Sequence, residues 1–145
     1  MKIIATNRKV RFNYELIKFY EAGIELLGSE VKSLRESNIS LQDSYVIIRE
    51  KQVYVINLHI SNYKHTAIFQ PSVDRPRRLL LHKSEIEKIS KEMQLQKLQL
   101  IPTKIYFNSK SLVKLEIVLA KPKKLYDKRQ VIKERDVSRK IKKIF

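Results

Sequence analysis

Between residues 10 and 26, apolar side chains fall on nearly every even position: Val10, Phe12, Tyr14, Leu16, Tyr20, Ala22, Ile24 and Leu26, with Lys18 the exception. A period of two puts alternate residues on opposite faces of an extended chain, so it predicts one long, bent strand with a single buried face. Gly23 is the expected bend or bulge, since a glycine inside a strand usually marks one. Gly28-Ser29 then opens a short helix over 30–36, with Val31 and Leu34 on one side and Ser29 as its N-cap. The runs 45–49 and 53–60 flank Glu50-Lys51-Gln52 and read as a hairpin. Residues 61–78 hold two prolines among polar residues and read as a loop. Ser84-Glu85-Ile86-Glu87 is a capping box, and Ile86, Ile89 and Met93 continue that helix at i, i+3 and i+7. The runs 105–107 and 113–119 form a second hairpin across 108–111, and Pro122 closes the globular part.

Five or six short strands with a helix inserted among them predict a mainly β fold. An OB-fold-like closed antiparallel barrel with two flanking helices is the natural architecture, because closure hides sheet edges that would otherwise be exposed. Other small β barrels share this periodicity. The expected division is a barrel over 1–120 followed by a basic C-terminal tail over 121–145.

Charge sharpens that division. The 145 residues carry 31 Lys or Arg against 15 carboxylates, a net +16, and hydrophobic residues make up 43 %, enough for a genuine core. The last 25 residues hold eleven of the cations and only Asp127, Glu134 and Asp136 in opposition, a net +8. Such a density resists compact packing, and a polyanion relieves it by releasing condensed counterions. Within the tail Val137, Ile141, Ile144 and Phe145 fall at helical spacing, the pattern of a segment that folds against a specific surface.

Other chemistries find little support. Cysteine is absent, which excludes disulfides, thiolate metal sites and Cys nucleophiles. His59, His65 and His82 lack metal-ligand spacing, and two glycines are too few for a nucleotide-binding loop. No paired-carboxylate motif suggests a nuclease. The reading is therefore no enzyme, no cofactor and no metal. The amino terminus turns polar after three apolar residues and no stretch is long enough to span a bilayer, so a cytoplasmic protein is expected.

Clusters of basic residues give a stronger signal. Asn7-Arg8-Lys9-Val10-Arg11 puts Lys9 and Arg11 on the odd face of the expected first strand, and Lys32 and Arg35 lie one helical turn apart. Arg75, Arg77 and Arg78 lead into an apolar strand that includes Leu80. Arginine forks bind phosphates bidentately and stack on bases, which suits structured RNA.

These segments resemble the SsrA-binding protein family, bacterial partners of transfer-messenger RNA (tmRNA) in ribosome rescue. The matching stretches are Asn7-Arg8-Lys9, Tyr20-Glu21-Ala22-Gly23-Ile24, Gly28-Ser29-Glu30-Val31-Lys32-Ser33-Leu34-Arg35, Leu41-Gln42-Asp43-Ser44-Tyr45-Val46, Leu58-His59-Ile60, Arg75-Pro76-Arg77-Arg78-Leu79-Leu80-Leu81-His82, Lys123-Lys124-Leu125-Tyr126-Asp127-Lys128-Arg129 and Lys133-Glu134-Arg135-Asp136. The resemblance implies an OB-fold barrel that binds the tRNA-like domain of the RNA, with Asn7, Glu21 and Leu80 at positions important for binding. It also implies a tail, disordered when free, that enters the vacant messenger channel of a stalled 70S ribosome and becomes helical against small-subunit rRNA, with Asp127, Lys128 and Arg129 matching its indispensable motif. Glu21 cannot be a phosphate ligand. As a carboxylate it accepts from base or sugar donors, or orients an arginine.

The chain departs from the family pattern at several points. Tyr126 stands where His is usual, Pro122 where glycine is common, Val137 where many members have Trp, and Phe12 where His is frequent. Lys51 and Lys97 occupy turns where glycine is common. The resulting expectation is a monomeric, non-catalytic tmRNA-binding factor. The alternatives are a ribosomal or rRNA-assembly protein and, more remotely, an RNA-processing hydrolase.

Overall fold

The computed structural model describes residues 1–62 and 72–123. Along the chain run β1 (Lys2–Thr6), α1 (Val10–Asn13), β2 (Tyr14–Ile24), α2 (Gly28–Arg35), β3 (Ile39–Ser40), β4 (Tyr45–Arg49) and β5 (Gln52–Ile56). After them come β6 (His59–Ile60), β7 (Arg77–Leu80), α3 (Lys83–Leu95), β8 (Gln99–Phe107) and β9 (Val113–Pro122). The strands pair antiparallel in the order β8-β4-β5-β7-β2-β9, and β9 pairs back onto β8. That return closes the ring into the expected barrel. β1 adds beside the end of β8, with Lys2 opposite Phe107 and Thr6 opposite Lys104. Among the described residues no helix is long and apolar enough to cross a membrane.

Alternation builds the core. From β2 the barrel takes Tyr20, Ala22 and Ile24, from β5 Val53 and Val55, from β8 Leu100, Ile105 and Phe107, and from β9 Leu115, Ile117 and Leu119. Leu34 of α2 and Ile89 of α3 join them, so each helix buries the apolar stripe its spacing provides. A smaller cluster of Val10, Ile101, Val118 and Ala120 lies apart, with Tyr14 and Leu16 packed against it.

The long strand expected from residue 10 is corrected here. Val10–Asn13 form a helical turn, and only from Tyr14 does the chain extend. Three apolar residues at 10, 12 and 14 suit period two, but Val10 seats in the smaller cluster, and the turn closes by Phe12 and Asn13 N–H donating to Lys9 O. Lys9 and Arg11 therefore do not share a strand face. The expectation also overlooked β1. The bulge in β2 falls between Leu16 and Lys18, not at Gly23. Gly23 instead lies opposite Leu80, and a Cβ built on it would stand 3.3 Å from the Leu80 Cβ.

Other differences are smaller. α2 begins at Gly28 with Leu27 as N-cap, and Glu30 Oε1 accepts from Leu27 N–H at 2.9 Å, doing from within the helix what Ser29 was expected to do from its end. Likewise His82 rather than Ser84 caps α3, with Glu85 Oε1 accepting from its N–H at 3.2 Å. Arg77 and Arg78, expected to end a loop, already belong to the strand that carries Leu80, because 77–80 together fill the gap between β5 and β2. The β4–β5 turn sets Glu50 at φ 52° and Lys51 at φ 64°. Both lie in the left-handed region that glycine tolerates best, which explains the preference for glycine at position 51. Lys97 has no such φ.

Candidate nucleic-acid interface

β2 and β7 carry three of the candidates, Glu21, Arg78 and Leu80, on the barrel's outer face. Glu21 projects outward between the core residues Tyr20 and Ala22 and lies directly opposite Glu116 of β9. Gly23, two residues on, pairs with Leu80 of β7 on one side and Lys114 of β9 on the other. Leu80 is 45 % exposed although it follows the fully packed Leu79, so it is presented to solvent and not to the core. Arg78 shares its outward face and makes a loose 3.6 Å ion pair with Glu25. Strand pairing thus brings Glu21, Arg78 and Leu80 onto one surface.

Around Glu21 lies a network that sequence reasoning missed. The Tyr106 hydroxyl donates to Glu21 Oε2. Glu116 accepts from Thr103 Oγ1 at 2.9 Å and pairs with Lys104 Nζ at 3.3 Å. Burial first, then the hydrogen bond and charge of Glu21 and the charge of Glu116, push the Tyr106 phenol well above its ordinary value, so it remains a neutral donor. Part of this was legible. A tight turn after Phe107 forces Lys104 opposite Glu116 and Tyr106 opposite Lys114. The β2–β9 pairing that brings Glu21 alongside is long-range and leaves no local signal.

Arg77 is a correction. It is fully buried, and its guanidinium makes five hydrogen bonds: Nε and Nη2 to Glu30 Oε2 at 2.8 and 2.5 Å, Nη1 to Leu58 O at 2.6 Å and Arg75 O at 3.3 Å, and Nη2 to Val73 O at 3.1 Å. Its donors are all engaged within the protein, so it holds the scaffold and cannot contact RNA. Arg75 grips the same carboxylate, with Nη2 at 2.5 Å from Oε1 and Nε at 3.1 Å from Oε2. Burial alone would raise the Glu30 carboxyl. The hydrogen bonds from Arg75, Arg77 and the Leu27 N–H outweigh it and hold the group below its ordinary range.

The remaining candidates are dispersed. Asn7 is half-buried past the end of β1. Its backbone N–H donates to Thr103 O at 2.7 Å, and its side-chain amide reaches Leu41 O and Pro102 O only at 3.5 Å. It lines a cleft of about 570 Å³ together with Lys9, Tyr14, Tyr45 and Gln99. Arg8, Lys9 and Arg11 are exposed at and within α1, and Lys32 and Arg35 are exposed on α2. The Lys123 N–H donates to Asn13 O at 3.1 Å, so the chain leaves the barrel beside α1. Lys124, Tyr126, Asp127, Lys128, Arg129, Lys133 and Arg135, with the expected tail helix, lie outside the described residues.

The model of the SmpB protein family matches residues 4–145. The chain belongs to this family. A SsrA-binding protein of Pseudothermotoga lettingae is 52 % identical over 142 residues, 98 % of this chain and 95 % of the relative. One of Thermosipho africanus is 51 % identical over 97 % of this chain and 95 % of the relative. A solved structure described as "tmRNA-SmpB: a journey to the center of the bacterial ribosome" superposes with a TM-score of 0.70 at 37 % identity, covering 94 % of this chain and 96 % of that one. The ring of β8, β4, β5, β7, β2 and β9 in this SmpB-family chain displays Glu21 and Leu80 on the shared β2–β7–β9 surface.

Proposed function

We propose that this chain binds tmRNA by its tRNA-like domain and delivers it to stalled ribosomes for trans-translation, acting in the cytoplasm as a binding factor and not as an enzyme. Its similarity to SsrA-binding proteins over nearly the whole length of both chains carries this reading. The barrel over 1–120 does the RNA recognition. Arg8, Lys9, Arg11, Lys32, Arg35 and Arg78 neutralise phosphates, whereas Asn7, Glu21 and Leu80 contact sugars and bases. Phosphate contacts position the RNA, and contacts to bases and sugars specify it.

The tail over 121–145 engages the ribosome. Its net +8 repels itself, and an isolated helix of about 15 residues is marginal in water. Folding from about residue 131 is then conditional on an empty messenger channel lined with rRNA phosphate, where the tail fills the space of a codon–anticodon helix. Coupling order to an empty channel selects truncated messages. Tyr126 stacks on an rRNA base, a contact of roughly 1–3 kcal/mol by analogy with other aromatic–base pairs.

Truncation after Leu125 separates the two roles. The shortened protein is expected to bind tmRNA as the full chain does, since the last strand ends at Pro122, while tagging of stalled ribosomes disappears. Normal tagging by the truncated protein would remove the tail from the mechanism. Bulk rRNA, and not tmRNA, co-purifying with the full chain would instead favour a ribosomal or assembly protein.

A further inference from the structure

Glu21 and Glu116 form an unusual pair. Two carboxylates directly opposite on neighbouring strands destabilise a sheet unless something offsets their repulsion. The two are treated differently. Thr103 donates to one oxygen of Glu116 and Lys104 pairs with the other, so Glu116 is fully engaged. Glu21 receives one donor, the Tyr106 hydroxyl on Oε2, and its Oε1 has no protein partner among the described residues. Tyr106 reaches it from two strands away, crossing β9 from its place opposite Lys114. Tyr106 is only 5 % exposed, and the Lys104 ammonium stands 5.8 Å from its ring centroid.

We infer that Tyr106 is a specificity-determining positioning residue: it pins Glu21 through Oε2 so that Oε1 is presented as a fixed acceptor for sugar-hydroxyl or unpaired-base N–H donors of the RNA. This rests on the tmRNA-binding reading and adds to it how an acidic spot works inside a basic interface. Two adjacent carboxylates repel phosphate, so the site rejects a backbone laid across it and accepts only donor groups. A buried phenol that stays neutral is suited to the task, because it can donate but brings no charge to attract phosphate. Without it, the ammonium group of Lys114 on the adjacent β9 becomes the available partner for Glu21, since Lys104 is held by Glu116. An ion pair with Lys114 would withdraw the acceptor from the surface.

Tyr106→Phe keeps the ring and removes the hydroxyl. With the full-length protein, its affinity for the tRNA-like domain of tmRNA is expected to fall about tenfold, the scale of one hydrogen bond to a charged group. Affinity for poly(U) of matched length, and the salt slope of tmRNA binding, should both stay unchanged because no phosphate contact is lost. Glu21→Gln should weaken tmRNA binding similarly, and the double variant should bind no worse than Glu21→Gln alone, since the two residues act as one unit. In an ultraviolet titration Glu21→Gln should also bring the Tyr106 phenol down. If Tyr106→Phe fails to fold by circular dichroism, Glu21→Asp serves instead: it keeps the charge but draws the carboxylate back from the phenol, and the same selective loss is expected. Wild-type affinity in either folded variant, equal losses for tmRNA and poly(U), or additive losses in the double variant would overturn the inference. A wild-type protein with no preference for the tRNA-like domain over poly(U) would sink the functional reading itself, a distinct result.

Discussion

Two glutamates sit in hydrogen-bonded clusters on this barrel and reach opposite ends. Glu30 is 3 % exposed, and both its oxygens are held by guanidinium groups. Glu21 is exposed and holds one phenol, and its second oxygen has no protein partner among the described residues. In the first cluster every charge is spent inside the protein. Arg77 ties Glu30 of α2 to the carbonyls of Leu58 and Val73, joining the helix to the chain around β6 and β7. In the second, the carboxylate is held but not consumed. A charged residue in an RNA-binding protein is thus a candidate ligand only if its neighbours leave it a free lone pair or proton.

The largest effect should come from breaking the closed cluster. Arg77→Met leaves a buried carboxylate with one fewer partner and takes its side-chain donor from the Leu58 carbonyl, whereas Val73 O keeps the Ile60 N–H at 3.1 Å. Removing one member of a buried ion pair costs about 3–5 kcal/mol, so chemical denaturation should show a loss on that scale. The companion Glu30→Met/Arg77→Met should recover much of the loss, because removing both charges avoids the unpaired one. A small loss for Arg77→Met alone would mean that Arg75 suffices for Glu30.

Acid should probe the same cluster with a definite sign. The Glu30 carboxyl is lowered in the folded state from an ordinary value of 4.5. In the window below that value the unfolded chain takes up a proton that the folded chain refuses, so the stability from Glu30 is complete above about pH 4.5 and lost as pH falls toward the folded value. Acid titration of wild type and Glu30→Gln should give converging stabilities as pH drops. Curves that stay parallel through this window would disconnect Glu30 from the acid response.

The neighbouring arginines show where the sequence was readable and where it was not. Arg77 and Arg78 are adjacent in a basic run, and nothing local separates them. Strand alternation does, since consecutive residues of β7 face opposite sides, but the expected loop ran through Arg78 and hid the start of the strand. The hairpins, α3 and the buried even positions from Tyr20 to Ile24 were legible because they rest on local periodicity. The α1 turn was not, because three apolar residues spaced by two fit a strand as well as a turn capping a second cluster. The Tyr106–Glu21 bond depends on β9 lying between β8 and β2, a pairing of distant segments that no short-range pattern encodes.

A middle-sized effect follows for Arg78. Its ion pair with Glu25 is long and exposed, so Arg78→Ala should change stability by no more than about 1 kcal/mol. If Arg78 neutralises one phosphate, the slope of log affinity for tmRNA against log salt should become shallower by about 1, from an overall slope of roughly −3 to −5 for a footprint of four to six phosphates. An unchanged slope would move Arg78 off the phosphate path and leave it only as a neighbour of Leu80.

Gly23→Ala should have the smallest effect and gives the finest test of the open surface. The added methyl would meet the Leu80 Cβ at 3.3 Å and Cδ1 at 3.5 Å. Its φ is not in the left-handed region, so no backbone strain is added. The terminal carbon can turn aside, but the Cβ is fixed to β7 and yields only if the two strands part by a few tenths of an ångström. Opposing that cost, alanine restricts the unfolded chain and returns about 0.4–1 kcal/mol. Net stability should therefore move by less than about 1 kcal/mol, measurable as a small shift in the denaturation midpoint. Binding should respond more than stability, because the methyl presses on the exposed Leu80 and displaces it. A Gly23→Ala protein with unchanged stability and weakened tmRNA binding would place the Gly23–Leu80 contact in the interface. Equal changes in both, or none in binding, would make the glycine a matter of strand packing alone.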